Sequence, residues 1–223
     1  MGSILKIEIE GNSYVGAFGV ATEKFAIISN NVSHKKEYAI AETLGVKVHR
    51  VMIDNSYLVG IYVAANSNGM LLPKTASQDE IRHIKKETGD FSVEILDSDM
   101  NALRNNILAN DKIAIINPEY TSREEKAISD VLGVEAVRME IGGFTTVGAN
   151  NILTNKGMVL NNRVTEEETK QIERMVKLQA EQSTANLGSL NIGLCAIANS
   201  KGVVLGDRTT GFELARITTA LGF

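Results

Sequence analysis

The sequence predicts an α/β fold: a closed five-fold, propeller-like ring of strand–strand–helix–strand repeats, with the N-terminal strand completing the last repeat. Three observations predict it. First, a polar turn followed by a compact apolar run occurs five times: Thr22-Glu23-Lys24-Phe25-Ala26-Ile27-Ile28, Ser67-Asn68-Gly69-Met70-Leu71-Leu72, Asn110-Asp111-Lys112-Ile113-Ala114-Ile115, Asn155-Lys156-Gly157-Met158-Val159-Leu160 and Ser200-Lys201-Gly202-Val203-Val204-Leu205. The last turn residue falls at 24, 69, 112, 157 and 202, so the spacings are 45, 43, 45 and 45. Such a period marks an architecture in which no unit buries its apolar face alone. Second, helix-start signals recur in step with it. Third, the chain begins with an unassigned strand and ends one strand short.

Taken in order, each unit opens on a small-residue signal that introduces a short strand: Val15-Gly16, Val59-Gly60, Val147-Gly148 and Ile192-Gly193, with Leu103-Arg104-Asn105-Asn106 departing from the pattern. That strand, the turn and the apolar run read as a β-hairpin. A capping box follows: Ser77 with Glu80, Ser122 with Glu125, Thr165 with Glu168, and Thr210 with Glu213. A hydroxyl that accepts from the third N–H while the Glu reaches back starts a helix. Ser33 takes the cap position in the first unit, where Lys36 cannot complete the box. Helical spacing continues through Ile81 and Ile84, Ile128, Val131 and Leu132, Ile172, Met175 and Val176, and Leu214 and Ile217.

Alternating strands close the units at Val46–Val51, Phe91–Ile95 and Val134–Met139, with a faint one near Leu178-Gln179-Ala180. The fifth unit stops at Phe223 without one, and Ile4–Glu10 alternates without a partner. Pairing these ends closes the ring and removes exposed sheet edges. The expected organisation is one domain over 1–223, with repeats at about 12–56, 57–100, 101–145, 146–189 and 190–223 plus 1–10. A WD-type propeller has a similar period, but it needs four strands per blade and a Trp-Asp signature; this chain contains no tryptophan.

Composition narrows the function. The formal net charge is −4, and the basic pairs Lys35-Lys36 and Lys85-Lys86 stand alone, so the chain lacks the dense positive charge that grips phosphate backbones. On a nucleic-acid machine it is expected to hold a protein component. One cysteine, Cys195, forms no internal disulfide and fits a reducing cytosol. The alternating N-terminus is a strand and not a signal peptide, and no apolar stretch approaches a membrane helix. A cytoplasmic protein without membrane contact is the expectation.

Candidate chemistry is thin. Cys195 is the one candidate nucleophile, placed in the first strand of the last unit, and a lone Cys reads first as a small hydrophobe. His34, His49 and His83 fall near a helix start, in a strand and within a helix. Gly142-Gly143 follows a strand but opens no helix, so it is no phosphate loop. Asp54, Asp97 and Asp99 lack calcium-loop spacing. Glu166-Glu167-Glu168 complements a helix dipole. No catalytic, cofactor-binding or metal-ligating set is assigned.

Five-fold rings of this unit resemble the pentein fold, which hosts guanidine-modifying enzymes with a Cys nucleophile as well as non-enzymatic members. The residues then resemble one family over essentially the whole chain. Asn66-Ser67-Asn68-Gly69-Met70-Leu71-Leu72-Pro73, Ala102-Leu103-Arg104-Asn105 with Ala109-Asn110-Asp111, Ala127–Glu135, Val147-Gly148 and Gly206–Leu214 look like the archaeal and eukaryotic translation initiation factor 6 family. The resemblance implies a non-enzymatic factor that binds the large ribosomal subunit, mainly a ribosomal protein close to rRNA. There it blocks the small subunit, takes part in large-subunit maturation, and is evicted by a GTPase with a partner protein. It implies a monomer without cofactor, and an end at Phe223 without the eukaryotic tail fits the archaeal form.

On that resemblance the ribosome-binding candidates are Gly60, Ile61, Asn105, Asn106, Ala149, Asn150, Leu190 and Asn191, around the starts of successive units. The asparagines also suit plain turn chemistry. The alternative from another class is a pentein hydrolase or transferase acting on a guanidino group through Cys195.

Overall fold

Five three-stranded sheets make up the protein, in a computed structural model that describes residues 2–89 and 91–223. Each sheet holds an antiparallel pair and a third strand parallel to its middle one. They comprise β2 (Gly19–Ala21), β3 (Phe25–Ser29) and β4 (Lys47–Val51); β5 (Ala64–Ala65), β6 (Gly69–Pro73) and β7 (Ser92–Leu96); and β8 (Ile107–Ala109), β9 (Ile113–Ile116) and β10 (Glu135–Arg138). The fourth sheet is β11 (Ile152–Leu153), β12 (Met158–Asn161) and β13 (Ala180–Ser183). In the fifth, β14 (Ala196–Ala198) and β15 (Gly202–Gly206) are joined by β1 (Ser3–Ile7), in register from Ser3 on Gly202 to Ile7 on Gly206. The first strand therefore completes the last unit, as the missing third strand demands.

A helix of eleven residues crosses between the middle and third strand of every unit: α1 (His34–Leu44), α2 (Gln78–Thr88), α3 (Ser122–Leu132), α4 (Glu166–Val176) and α5 (Gly211–Leu221). Ser77–Glu80 and Thr210–Glu213 form reciprocal boxes, and Ser33 accepts from Lys36 N–H. In α3 the box lies one residue earlier than the sequence pattern placed it, at Thr121 and Glu124. Ser122 instead accepts from Arg138 Nη2 at 3.2 Å, and Glu125 pairs with the same guanidinium at 2.8 Å. Thr165 caps α4, but Glu168 turns away to accept from Gly142 N–H at 2.7 Å.

The middle strands explain their unbroken apolar runs, because each is buried on both faces. Ile27 faces a core shared with Val59, Met70 and Ile84, while Ala26 and Ile28 face Ile9, Ile40, Ile197 and Val204. Every core cluster draws on two consecutive units, and this last one joins the fifth unit to the first. No unit has a core of its own, and the succession of cores returns to its start.

The small-residue signals are not strand starts. They fold as single helical turns before the first strands, 3₁₀ at Val15–Phe18 and Ile192–Cys195 and α-helical at Val59–Tyr62, Leu103–Asn106 and Val147–Asn150. Cys195 accordingly ends a turn instead of lying in a strand. The turns pack on one another in order, the fifth against the first. Glycine permits this: a Cβ at Gly60 would collide with the Gly16 carbonyl, at Gly193 with that of Gly148, and at Gly16 with that of Gly193.

At the opposite end, buried polar residues open the hairpin turns. Asn66 accepts from the N–H groups of Asn68 and Gly69 and donates to the Asn110 carbonyl of the next unit (3.0 Å). Asn110 repeats this toward Thr154 O (2.9 Å), and Asn199 toward Thr22 O (3.1 Å). Asp111 adds a clasp, receiving Ser67 Oγ at 2.8 Å and Asn155 Nδ2 at 2.7 Å. Among the described residues no helix is long and apolar enough to cross a membrane.

Candidate functional site: the face of the axial turns

The middle and third strands run toward the same end, so the five axial turns and the N-termini of α1–α5 share one face. Tight turns in left-handed backbone project there: Glu10-Gly11 between bridged Ile9 and Asn12, Asp54-Asn55 between Ile53 and Ser56, Gly142-Gly143 between Ile141 and Phe144, and Asn186–Gly188 between Ala185 and Ser189. Paired positive-φ residues are the geometry of primed hairpin turns, which suits Asn, Asp and Gly.

Capping glutamates hold three of these projections. Glu80 accepts from Asn55 N–H (3.1 Å), Glu168 from Gly142 N–H, and Glu213 from Gly188 N–H (2.8 Å). Burial alone would raise the Glu213 carboxyl. The N–H groups of Thr210 and Gly188, with the Thr184 and Thr210 hydroxyls, outweigh it and hold the group below the ordinary carboxylate value. For Glu80 burial is likewise outweighed, here by Ser77 and Asn55 N–H.

The eight sequence-derived candidates lie on the axial turns or just before them, and they divide by exposure. Gly60, Asn106, Ala149 and Asn150 are buried. Asn106 donates to Ala102 O and accepts from Asn117 Nδ2, while Asn150 donates to Leu190 O (3.2 Å) and Asn191 Oδ1 (2.9 Å) and accepts from Thr146. These groups set the spacing between turns. Ile61, Asn105 and Leu190 are half-buried and Asn191 is exposed. Among the described residues Asn105 Oδ1 has no hydrogen-bond partner.

Sequence reasoning passed over the apolar groups that stand out on this face. Tyr14, Tyr57, Leu58 and Leu187 are exposed, Leu187 by 62% and with φ +65°. They stand at the entries to the fifth, first and second helical turns, which are neighbours, and Tyr14 Oη reaches Ser189 Oγ at 3.4 Å. The signal available was the repeated Asn-Ser-Tyr at 12–14 and 55–57, an aromatic inside turn chemistry. Both signs of charge share this end: Glu10, Asp54, Asp97, Asp99, Glu140 and the Glu166–Glu167 pair are exposed, as are Lys74, Arg123, Arg163 and Arg208, with Lys74 paired to Asp99 and Arg123 to Asp97. Lys24, Lys112, Lys156 and Lys201 stand at the hairpin tips of the other.

Cys195 is buried, and desolvation pushes its thiol up to about 12, although the nearby Ser189 and Asn186 side chains favour the ionised form. The histidines lie elsewhere: His34 on α1 beside Glu37, His49 on β4 against Glu87 (3.0 Å), and His83 on α2 at the Arg50 carbonyl (3.2 Å). Among the described residues no group of three or more His, Cys, Asp or Glu could hold a metal ion.

Among solved structures, the N-terminal domain of ArgZ, an arginine dihydrolase from cyanobacteria, in a substrate-bound mutant form, superposes with a TM-score of 0.52 at 12% identity. The match covers 87% of this chain and 76% of that one. At that identity the likeness is one of fold, of the pentein type. Sequence relatives are closer. Proteins named Translation initiation factor 6 are 37% identical in Thermococcus onnurineus (99% of this chain, 98% of the relative), 38% in Saccharolobus solfataricus and 36% in Saccharolobus islandicus (99% of both chains in each). A family model matches residues 4–220, and the chain belongs to the eIF-6 family.

Proposed function

We propose that this translation factor binds the large ribosomal subunit through the face of its axial turns and so keeps the small subunit off. Family membership supports the translation role. The observation that carries the docking surface is the set of exposed Tyr14, Tyr57, Leu58 and Leu187 on one end of the ring. Exposed apolar groups among polar turns mark an interaction site, and the exposed Glu10 and Asp54 in the turns beside Tyr14 and Tyr57 disfavour a phosphate backbone. The partner is therefore mainly a ribosomal protein, with rRNA nearby.

Occlusion is the mechanism. A standard interface of roughly 1,600 Å² holds such a body in place, and the small subunit cannot occupy the same surface. No internal switch is needed, so release falls to an external agent, a GTPase acting with a partner protein. A role in large-subunit maturation and action as a cytoplasmic monomer complete the reading. The guanidino-hydrolase alternative loses ground on chemistry. A thiol pushed up to about 12 is protonated at neutral pH, and each histidine is engaged away from it. Co-sedimentation tests the proposal: the protein should travel with archaeal large subunits and not with small ones, and equal binding to both would remove it.

A further inference from the structure

Four of the five axial turns carry glycine at their second position, Gly16, Gly60, Gly148 and Gly193; the third carries Arg104. Its side chain lines the cavity on the ring axis, alongside Ala21, Ala65, Ile107, Leu153 and Ala198. From the third unit it reaches the fifth, donating through Nη1 to Gly193 O (3.0 Å) and through Nη2 to Ala196 O (3.3 Å). These two carbonyls are the pair against which Gly16 of the first unit packs. The guanidinium thus ends on the seam where the last unit meets the first.

Arg104 is half-buried, and a cation withdrawn from water normally gains a carboxylate partner, since desolvation of an unpaired charge is costly. Among the described residues Arg104 has none: burial alone lowers it to about 10, with no charged neighbour contributing, and it stays cationic at neutral pH. Compensation comes from carbonyl dipoles. Both acceptors are backbone dipoles, the Gly193 carbonyl of the fifth helical turn and the Ala196 carbonyl at the start of β14. Two carbonyls side by side match the planar fork of a guanidinium, which an ammonium cannot reproduce.

We propose that the axial cavity is a recognition site for a planar guanidinium cation, that its resident ligand is the chain's own Arg104, and that this side chain braces the seam between first and last units. Arg104→Gly restores the residue the other four turns carry, so the backbone accepts it, and it empties the site.

The experiment follows thermal unfolding of the full chain, parent and Arg104→Gly, titrated with methylguanidinium or methylammonium chloride in the low millimolar range. The variant should melt about 4–10 °C below the parent. Methylguanidinium should restore at least half of that loss saturably, methylammonium should not, and the parent should respond to neither. An undiminished melting temperature, or equal responses to both cations, would overturn the proposal. Should Arg104→Gly not accumulate folded, Arg104→Lys decides instead. It keeps the charge without the fork and should melt lower than the parent; equal stability would sink the guanidinium-specific reading.

Discussion

Asn199 donates through Nδ2 to the Thr22 carbonyl at 3.1 Å, a bond between residues 177 positions apart that fastens the fifth unit to the first. The same amide donates to Leu44 O (2.9 Å), and its Oδ1 accepts from Lys201 and Gly202 N–H. All four bonds are buried or partly buried, and leaving such groups unpaired costs their full desolvation. Asn199→Ala should therefore destabilise by about 2–4 kcal/mol, or about 5–15 °C in melting temperature. Asn199→Thr is the informative partner. Thr22 and Thr154 hold the equivalent places and accept through Oγ1, but they donate nothing to the next unit. Threonine should recover part of the loss and no more, as read by denaturant unfolding.

Acid should loosen the face of the axial turns before it unfolds the hairpin-tip end. Glu213 and Glu80 sit below the ordinary carboxylate value because backbone N–H groups hold their ionised forms. A depressed carboxyl contributes stability above its unfolded value, near pH 4.3, and that contribution is lost as pH falls through the folded value. Glu213→Gln should thus be less stable than the parent at pH 7, and the gap should close below about pH 4. The protection of the Leu187 and Gly188 amides from hydrogen exchange, relative to the intrinsic rate at each pH, should fall over the same range, because their N–H groups bond Glu213. A gap that stays constant down to pH 3 would contradict this.

Five units, their order and the joining of the two ends were legible because each rests on a periodic signal. Apolar runs, hydroxyl caps and the unpaired Ile4–Glu10 segment are patterns that local physics writes directly. Two things were not legible, for different reasons. Val-Gly and Ile-Gly read as strand entries because apolar residues flank them, yet the close approach of Gly16, Gly60 and Gly193 to neighbouring carbonyls makes them helical turns. That packing is tertiary and leaves no local trace. The site was half legible: Asn150 and Asn106 were found as polar residues at a turn, but their amides face inward and hold the ring. Exposed Leu187 was missed because a leucine in a sequence is read as core by default.

Leu187 separates folding from binding. A branched-chain residue at φ +65° pays for left-handed backbone by roughly 1–2 kcal/mol, and its side chain here is mostly exposed. Leu187→Gly removes that strain, though glycine adds about 0.5–1 kcal/mol of unfolded-state freedom. The variant should melt at or slightly above the parent while co-sedimenting less with large subunits. Tyr57→Ser, which shortens a half-exposed ring without touching backbone geometry, should weaken binding in the same assay. Unchanged binding in both variants would move the docking surface off this face.

Cys195 offers the sharpest division between a binding protein and a guanidino hydrolase. Its thiol is buried and pushed up to about 12 by desolvation, so at neutral pH almost none is thiolate. A disulfide reagent should therefore label it only as the protein unfolds, with labelling tracking denaturant and not reagent concentration. Cys195→Ser keeps a small polar atom beside the Ser189 and Asn186 side chains, and it should leave large-subunit co-sedimentation intact. A thiol that reacts rapidly in the folded protein, or release of urea or ammonia from arginine by the parent and not by the serine variant, would favour the hydrolase instead.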